Sequence, residues 1–200
     1  MFTLNPLPPQ LSPALVEKLV KAEPATIGHF RDWGFMDPGI KALQRDVRIA
    51  GPAITIHQPG VDGTIMGYAM GQLRPGDVLV VDRCGDVRHA GFGGLVCYAA
   101  KVAKVAGVII DGVVADVHEI RQYGVPVSCG GVSVHPGDVV IADETGIVVM
   151  DSADAEAAAD RAIQMQFDEI DKRRRLDAGE KLPDISGATK ALADALAKQK

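Results

Sequence analysis

Apolar and polar positions along this 200-residue chain separate short buried runs from segments with helical spacing. Val78–Val81, Val108–Ile110, Val139–Ala142 and Ile147–Met150 are apolar and rich in β-branched residues. Bounded by Gly, Pro or Asp, such runs predict strands covered on both faces. Val47–His57 predicts another strand, interrupted by Gly51-Pro52. A first helix is expected from Pro13 through Ala22, with Leu15, Leu19 and Val20 on its inner face and Pro24 ending it. Thr64–Gln72 predicts a second helix. Leu95–Ala106 predicts a third, stopped by Gly107. A long helix is expected over residues 152–177, with Ala159, Ile163, Phe167 and Ile170 on one face. Gly179 ends it, 184–187 turns, and 188–198 forms a last Ala-rich helix. Residues 1–13 are Pro-rich and predict an extended arm. The loop before the first strand is expected to hold Trp33 and Phe35 half-buried.

One unit recurs. Residues 74–82 read RPGDVLVVD and residues 135–143 read HPGDVVIAD. Pro-Gly makes a tight turn and the apolar run a buried strand, so the two copies are expected at equivalent places.

Composition fits a globular chain: 47% hydrophobic, 24% charged, net charge −5. That balance argues against nucleic acid as the main partner, because phosphate binding needs a basic face. The basic run Lys172–Arg175 sits among acids and is expected on a solvated face or subunit contact. No apolar run is long enough to span a bilayer, and the N-terminus lacks the pattern of a signal peptide. Cys84, Cys97 and Cys129 are odd in number and widely spaced, which predicts reduced thiols serving as packing residues in the cytoplasm. The length predicts a single domain over residues 1–200, with a core at about 45–150 and a helical arm at 152–198.

Chemistry is expected around Gly91–Glu119, which runs glycine-rich turn, helix, strand, turn, acidic helix start. Ligands of α/β sheets bind beside such strand ends. Asp116 is the sharpest candidate. With Asp111 and Glu119 it places acid at one strand end, and hard oxygen ligands suit Mg²⁺ or Mn²⁺. Asp116 followed by Glu119 equally fits a capping box. His118 is expected exposed or in a local hydrogen bond. Amides at Gly93, Gly94, Leu95 and Val96 can bind a carboxylate at a helix start, or the glycines can serve close packing. Asp86, Arg88 and His89 can reach an acidic substrate or be polar loop residues.

These segments carry a resemblance. GDVLVVD at 76–82, AGFGGLVCYAAKVAKVAGVIIDGVVAD at 90–116 and VPVSCGGVSVHPGDVVIADETGIVVM at 125–150 resemble the RraA-like family, and RRRLDAGEKL is similar to its aldolase branch. That branch includes 4-hydroxy-4-methyl-2-oxoglutarate and 4-carboxy-4-hydroxy-2-oxoadipate aldolases. The resemblance implies an αββα layered fold related to swivelling phosphohistidine domains. It implies homotrimers or hexamers with sites between subunits. It also implies a divalent metal that stabilises pyruvate enolate, with oxaloacetate decarboxylation as a frequent second activity. By the same resemblance Asp116 is the catalytic metal-holding residue, and Gly93, Gly94, Leu95 and Val96 contact the small 2-oxo acid. Three positions depart from the pattern. Ala115 replaces an Arg that grips the substrate. Gly94 replaces an acid. Tyr123-Gly124 runs straight into Val125-Pro126, where the family has a further strand and loop. Arg88 is a candidate replacement for the missing Arg. The resemblance thus implies a metal-dependent lyase; the alternative is a non-catalytic regulator of the ribonuclease E inhibitor type.

Overall fold

The computed structural model describes residues 2–39, 42–129 and 134–198, so part of the VPVSCGGV segment, Gly130 to Val132, lies outside the described residues. In chain order the elements are α1 (Pro13–Lys21), α2 (Pro24–Ile27), β1 (Arg48–His57), α3 (Thr64–Met70), β2 (Val78–Asp82), α4 (Gly94–Ala103) and β3 (Gly107–Asp111). There follow α5 (Val117–Tyr123), β4 (Val127–Cys129), β5 (Val139–Asp143), β6 (Ile147–Met150), α6 (Ser152–Asp177), α7 (Leu182–Ile185) and α8 (Ala188–Ala197).

The strands run β4-β3-β2-β1-β5-β6. β1 belongs to two arrangements. Its first half, Arg48–Pro52, pairs antiparallel with β5, and its second half, Ala53–His57, pairs parallel with β2. Gly51-Pro52 therefore marks a change of partner; the strand is not interrupted there, as the pattern suggested. A Cβ at Gly51 would lie 2.2 Å from the Gly76 carbonyl oxygen, so only glycine lets the β2 turn approach this closely.

Alternation along the strands sorts side chains into three cores. Ile54, Ile56, Leu79, Val81, Val108 and Ile110 face α3, α4 and α5. Ala50, Val139, Ile141, Val148 and Met150 face α1, α2 and α6. Ile49, Ala53, Val80, Ile109, Val140 and Val149 meet between the two halves of the sheet. Helix, sheet, sheet, helix is the resulting order of layers, and the double-sided burial explains why the strands read as unbroken apolar runs.

The two PGD units start opposite each other across the middle of β1, at Ala53↔Val78 and Pro52↔Val139. In each, the Asp reaches back to the amide three residues earlier: Arg74 N–H donates to Asp77 at 2.8 Å and His135 N–H to Asp138 at 2.8 Å. The strand-ending Asp in each accepts the amide two residues on, from Cys84 at 2.6 Å and from Thr145 at 2.8 Å. The repeat is thus structural down to its hydrogen bonds.

Four expectations need correction. Pro24 opens α2, the position its fixed φ suits best, besides ending α1. α4 stops at Ala103 because Lys104 takes the left-handed conformation, φ 59°; Gly107 instead begins β3, where a Cβ would meet Ile49 at 2.4 Å. Trp33 is 64% exposed, with the Arg31 guanidinium 4.9 Å from its ring. α6 buries Ala155, Ala158, Ala159 and Ala162, while Phe167 and Ile170 are exposed because the second half of the helix runs past the sheet.

Candidate active site

The parallel strands β1, β2 and β3 end in register at His57, Asp82 and Asp111. From there the chain passes Gly112 and is held to the turn before α4 by a bridge between Phe92 and Val114. Ala115 N–H donates to Phe92 O at 2.9 Å. This tether sets Asp116 against Gly93 and Gly94.

Asp116 occupies the N-cap position of α5 with φ 54° and ψ 41° and makes no side-chain cap bond. The capping-box reading therefore fails in its side chains. Instead Gly94 N–H donates to Asp116 Oδ2 at 3.0 Å, across from a different helix. A left-handed non-glycine residue costs on the order of 1–3 kcal/mol and persists where surrounding structure enforces it; Asp tolerates it better than most. Asp116 as a residue is exposed.

Glu119 lies over the same turn. A Cβ at Gly94 would sit 1.9 Å from Glu119 Oε2, and a Cβ at Gly93 would sit 2.7 Å from Asp116 Oδ2. A side chain at either glycine would push one of these carboxylates aside. Tyr123 hydroxyl donates to Glu119 Oε2 at 3.1 Å, and this bond raises the tyrosine's pKa, so the hydroxyl stays protonated. Glu119 from α5 thus fills the space beside Gly94. Asp111 does not join: among the described residues Asp111, Asp116 and Glu119 do not bring three ligand atoms within 4.8 Å of one another.

The turn amides divide. Gly94 N–H is taken by Asp116, and Cys97 N–H closes the first helical bond to Gly93 O. Leu95 and Val96, in the first turn, have no intrahelical acceptor for their amides. The Leu95 side chain is exposed, with Tyr98 and Val102, along the outer face of α4.

Arg88 lies exposed on the loop after β2. That loop is built around Asp86, whose carboxylate accepts the amides of Arg88 at 2.9 Å and His89 at 3.1 Å and contacts His89 Nδ1 at 3.0 Å. The Arg88 amide, then the His89 ring, hold its carboxyl down at about 2. Beneath the loop Arg83 is fully buried. It donates to the carbonyls of Gln58 at 2.7 Å, Gly60 at 2.6 Å and His89 at 3.2 Å. Gly91 and Gly112 leave room for it, since a Cβ at either would fall within 2.8 Å of its side chain. Pattern reading gave Arg83 no role; an arginine just past the end of a strand, eight residues before the glycine-rich turn, carries no signal of burial. His118 is exposed as expected, 3.9 Å from Glu119.

The cysteines divide. Cys97 is buried in the core facing α3–α5, and burial pushes its thiol up to about 11. Cys84 is exposed, which corrects its expected packing role. It has φ 57°, and its Sγ lies 3.2 Å from His57 Nε2 and 3.4 Å from Nδ1. His57 Nδ1 is 3.0 Å from Asp82 Oδ2.

Comparison with known proteins decides the family. The aldolase/RraA model of the RraA-like family matches residues 26–127 and 121–149. The chain belongs to the RraA-like family. A Halalkalibacterium halodurans protein provisionally named 4-hydroxy-4-methyl-2-oxoglutarate aldolase is 30% identical over 159 residues, covering 68% of this chain and 76% of that protein. Legionella pneumophila DlpA is 25% identical over 188 residues, 78% of this chain, which spans only 31% of DlpA's length. Among solved structures, Streptomyces coelicolor RraAS2 superposes with a TM-score of 0.73 at 26% identity, over 82% of this chain and 98% of its own. RraAS2 is described as an unusual member of the RNase ES inhibitor RraA family. The RraA-like core thus coincides with the strands and glycine turn that build the Asp116 site. Among the described residues no helix is long and apolar enough to cross a membrane.

Proposed function

We infer that this protein is a divalent-metal-dependent lyase of the pyruvate-aldolase type, acting on a small 2-oxo acid. The observation that carries the reading is the carboxylate of exposed Asp116, pinned through Oδ2 by Gly94 N–H at the start of α4. A hard cation of the Mg²⁺ or Mn²⁺ kind takes one or two carboxylates and keeps several waters. Asp116 and Glu119, both admitted by the glycine turn, fit that demand. When bound, the metal supplies Lewis acidity at the 2-oxo oxygen, where charge develops as the carbon–carbon bond breaks.

The chain's own residues do the rest. Leu95 and Val96 amides, at the positive end of the ten-residue α4, hold the substrate carboxylate. Glu119 takes the place of the acid absent from position 94, and Tyr123 holds a proton at Glu119 Oε2. Ala115 offers no guanidinium. Arg83 cannot replace it, because it is fully buried, with its two terminal nitrogens on backbone carbonyls and Nη2 also 3.5 Å from Asp86 Oδ2. Exposed Arg88 is the candidate to grip the substrate. Removing one preorganised donor costs on the order of 10²–10³ in rate, so Arg88 decides how much activity survives Ala115. The apolar outer face of α4, beside the site, supports a homotrimer or hexamer with the site at a subunit boundary. The free thiols Cys84 and Cys97 suit a cytoplasmic setting.

The test is pyruvate release from oxaloacetate and from 4-hydroxy-4-methyl-2-oxoglutarate with Mg²⁺, Mn²⁺ or EDTA, beside Asp116→Ala shown to be folded by circular dichroism. Metal-dependent release at least ~10²-fold above the variant is expected. No release above the variant with either substrate sinks the lyase reading. It leaves the second one, a regulator acting by protein contact, which Ala115 and the likeness to RraAS2 favour.

A further inference from the structure

We propose that His57, Asp82 and Cys84 form a second metal site, selective for a borderline divalent cation such as Zn²⁺ and distinct from the Asp116 centre. Among the described residues this is where three His, Cys, Asp or Glu donors converge, each ligand atom within 4.8 Å of the others.

Spacing argues for it. Tetrahedral zinc, with bonds of about 2.0–2.3 Å to N, O and S, sets its ligand atoms roughly 3.4–3.6 Å apart. With His57 Nδ1 as the nitrogen ligand, Asp82 Oδ2 lies at 3.0 Å and Cys84 Sγ at 3.4 Å. Sγ is also 3.2 Å from Nε2 and so lies over the ring face; a turn of the exposed imidazole aims a nitrogen at an ion shared with Sγ and Oδ2.

Preorganisation also argues for it. His57 and Asp82 are register partners at the ends of two paired strands, so their backbones are fixed by the sheet. Asp82 Oδ1 is held by the Cys84 amide at 2.6 Å, which leaves Oδ2 for the imidazole side. The equivalent turn after β5 has the same Asp–amide bond but no cysteine or histidine. Cys84 carries a side chain in left-handed backbone, φ 57°, where glycine would be relaxed, and that conformation lays the thiol against the ring.

The donor set fixes the ion class. Imidazole, thiolate and one carboxylate suit Zn²⁺ or Co²⁺ and disfavour Mg²⁺, which prefers oxygen. Binding through the thiolate requires Cys84 to give up its proton to solvent. All three side chains are exposed, leaving the fourth position open to water or a small anion, the arrangement of a catalytic zinc centre.

The experiment is a Co²⁺ titration of the metal-stripped full chain under reducing conditions, read by thiolate-to-cobalt charge-transfer absorption. One equivalent is expected to saturate the band and one equivalent of Zn²⁺ to abolish it. Cys84→Ser is expected to remove the band. His57→Ala is expected to weaken binding at least tenfold, and Asp116→Ala to leave it unchanged. Absence of a band at stoichiometric cobalt, or a band that persists in Cys84→Ser, overturns the site. Circular dichroism confirms that the exposed-residue variants remain folded. Pyruvate release by the same proteins with Mg²⁺ is scored separately, so failure of this site and failure of the lyase reading are told apart.

Discussion

Asp116 and Gly94 show how one residue's role depends on its partner. Asp116-x-x-Glu119 carries the letters of a capping box, and the letters alone could not exclude it. The backbone decides otherwise: at φ 54° the Asp116 side chain turns from its own helix to Gly94. The pattern registered Gly94 as a lost acid, yet its missing side chain is the space Glu119 fills. Gly94→Ala tests this. Alanine at the first residue of α4 gains less helix propensity than the roughly 1 kcal/mol of a helix interior. It also displaces Glu119 from Tyr123, a net loss of about 0.5–1.5 kcal/mol. The melting temperature is expected to stay within about 4 °C. Pyruvate release is expected to fall at least ~10²-fold, matched by Glu119→Gln. Unchanged release in both variants would remove Glu119 from the site. Asp86 makes a second prediction. A carboxyl held at about 2 keeps its full stabilising contribution above the ordinary 3.8, and loses it as pH falls through about 2. Amide chemical shifts of Arg88 and His89 are expected to titrate with that midpoint, and to lose the titration in Asp86→Asn. A midpoint near 4 would mean the two amide bonds to Asp86 are not formed in solution.

Elements were legible where burial is two-sided and less so at their ends. Val78–Val81, Val108–Ile110, Val139–Ala142 and Ile147–Met150 are strands at the places their apolar runs predict. The span of α6, Ser152–Asp177, was also legible, while its inner face was only half so. Helical periodicity continues through Phe167 and Ile170, but the sheet that α6 packs on does not extend that far. Periodicity reports that a face is apolar without naming what covers it. The same holds for α8, which has no buried residue and exposes Leu192 and Leu196. Deleting residues 179–200 is expected to leave the melting temperature of the isolated subunit unchanged within about 2 °C, because no core contact is lost. The same deletion is expected to shift the assembly to smaller species in analytical ultracentrifugation. An unchanged oligomer would show that the arm does not join subunits.

At the scale of the molecule, the layered fold rests on one strand. The repeated PGD units announce two equivalent strands, β2 and β5, but not that both start from the same point of β1. That fact depends on Gly51 admitting the Gly76 turn and on Pro52 surrendering no hydrogen bond the ladder needs. Ala53 N–H donates to Asp138 O at 2.8 Å, and Gly137 N–H to Ala53 O at 3.0 Å, so the second PGD turn is bound to the very residue where the parallel pairing begins. The site is assembled on one half of this arrangement, at the ends of β1, β2 and β3. The other half holds α1, α2 and α6. Because β1 serves both, neither half can open without stripping a partner from the other. Native-state hydrogen exchange is expected to return the same opening free energy for Leu79 of β2 and Val140 of β5, and to detect no partly unfolded form that keeps one ladder and loses its neighbour. On that expectation the two sheets open as a single cooperative unit, and the geometry around Asp116 inherits stability from α1, α2 and α6 on the other half of the fold.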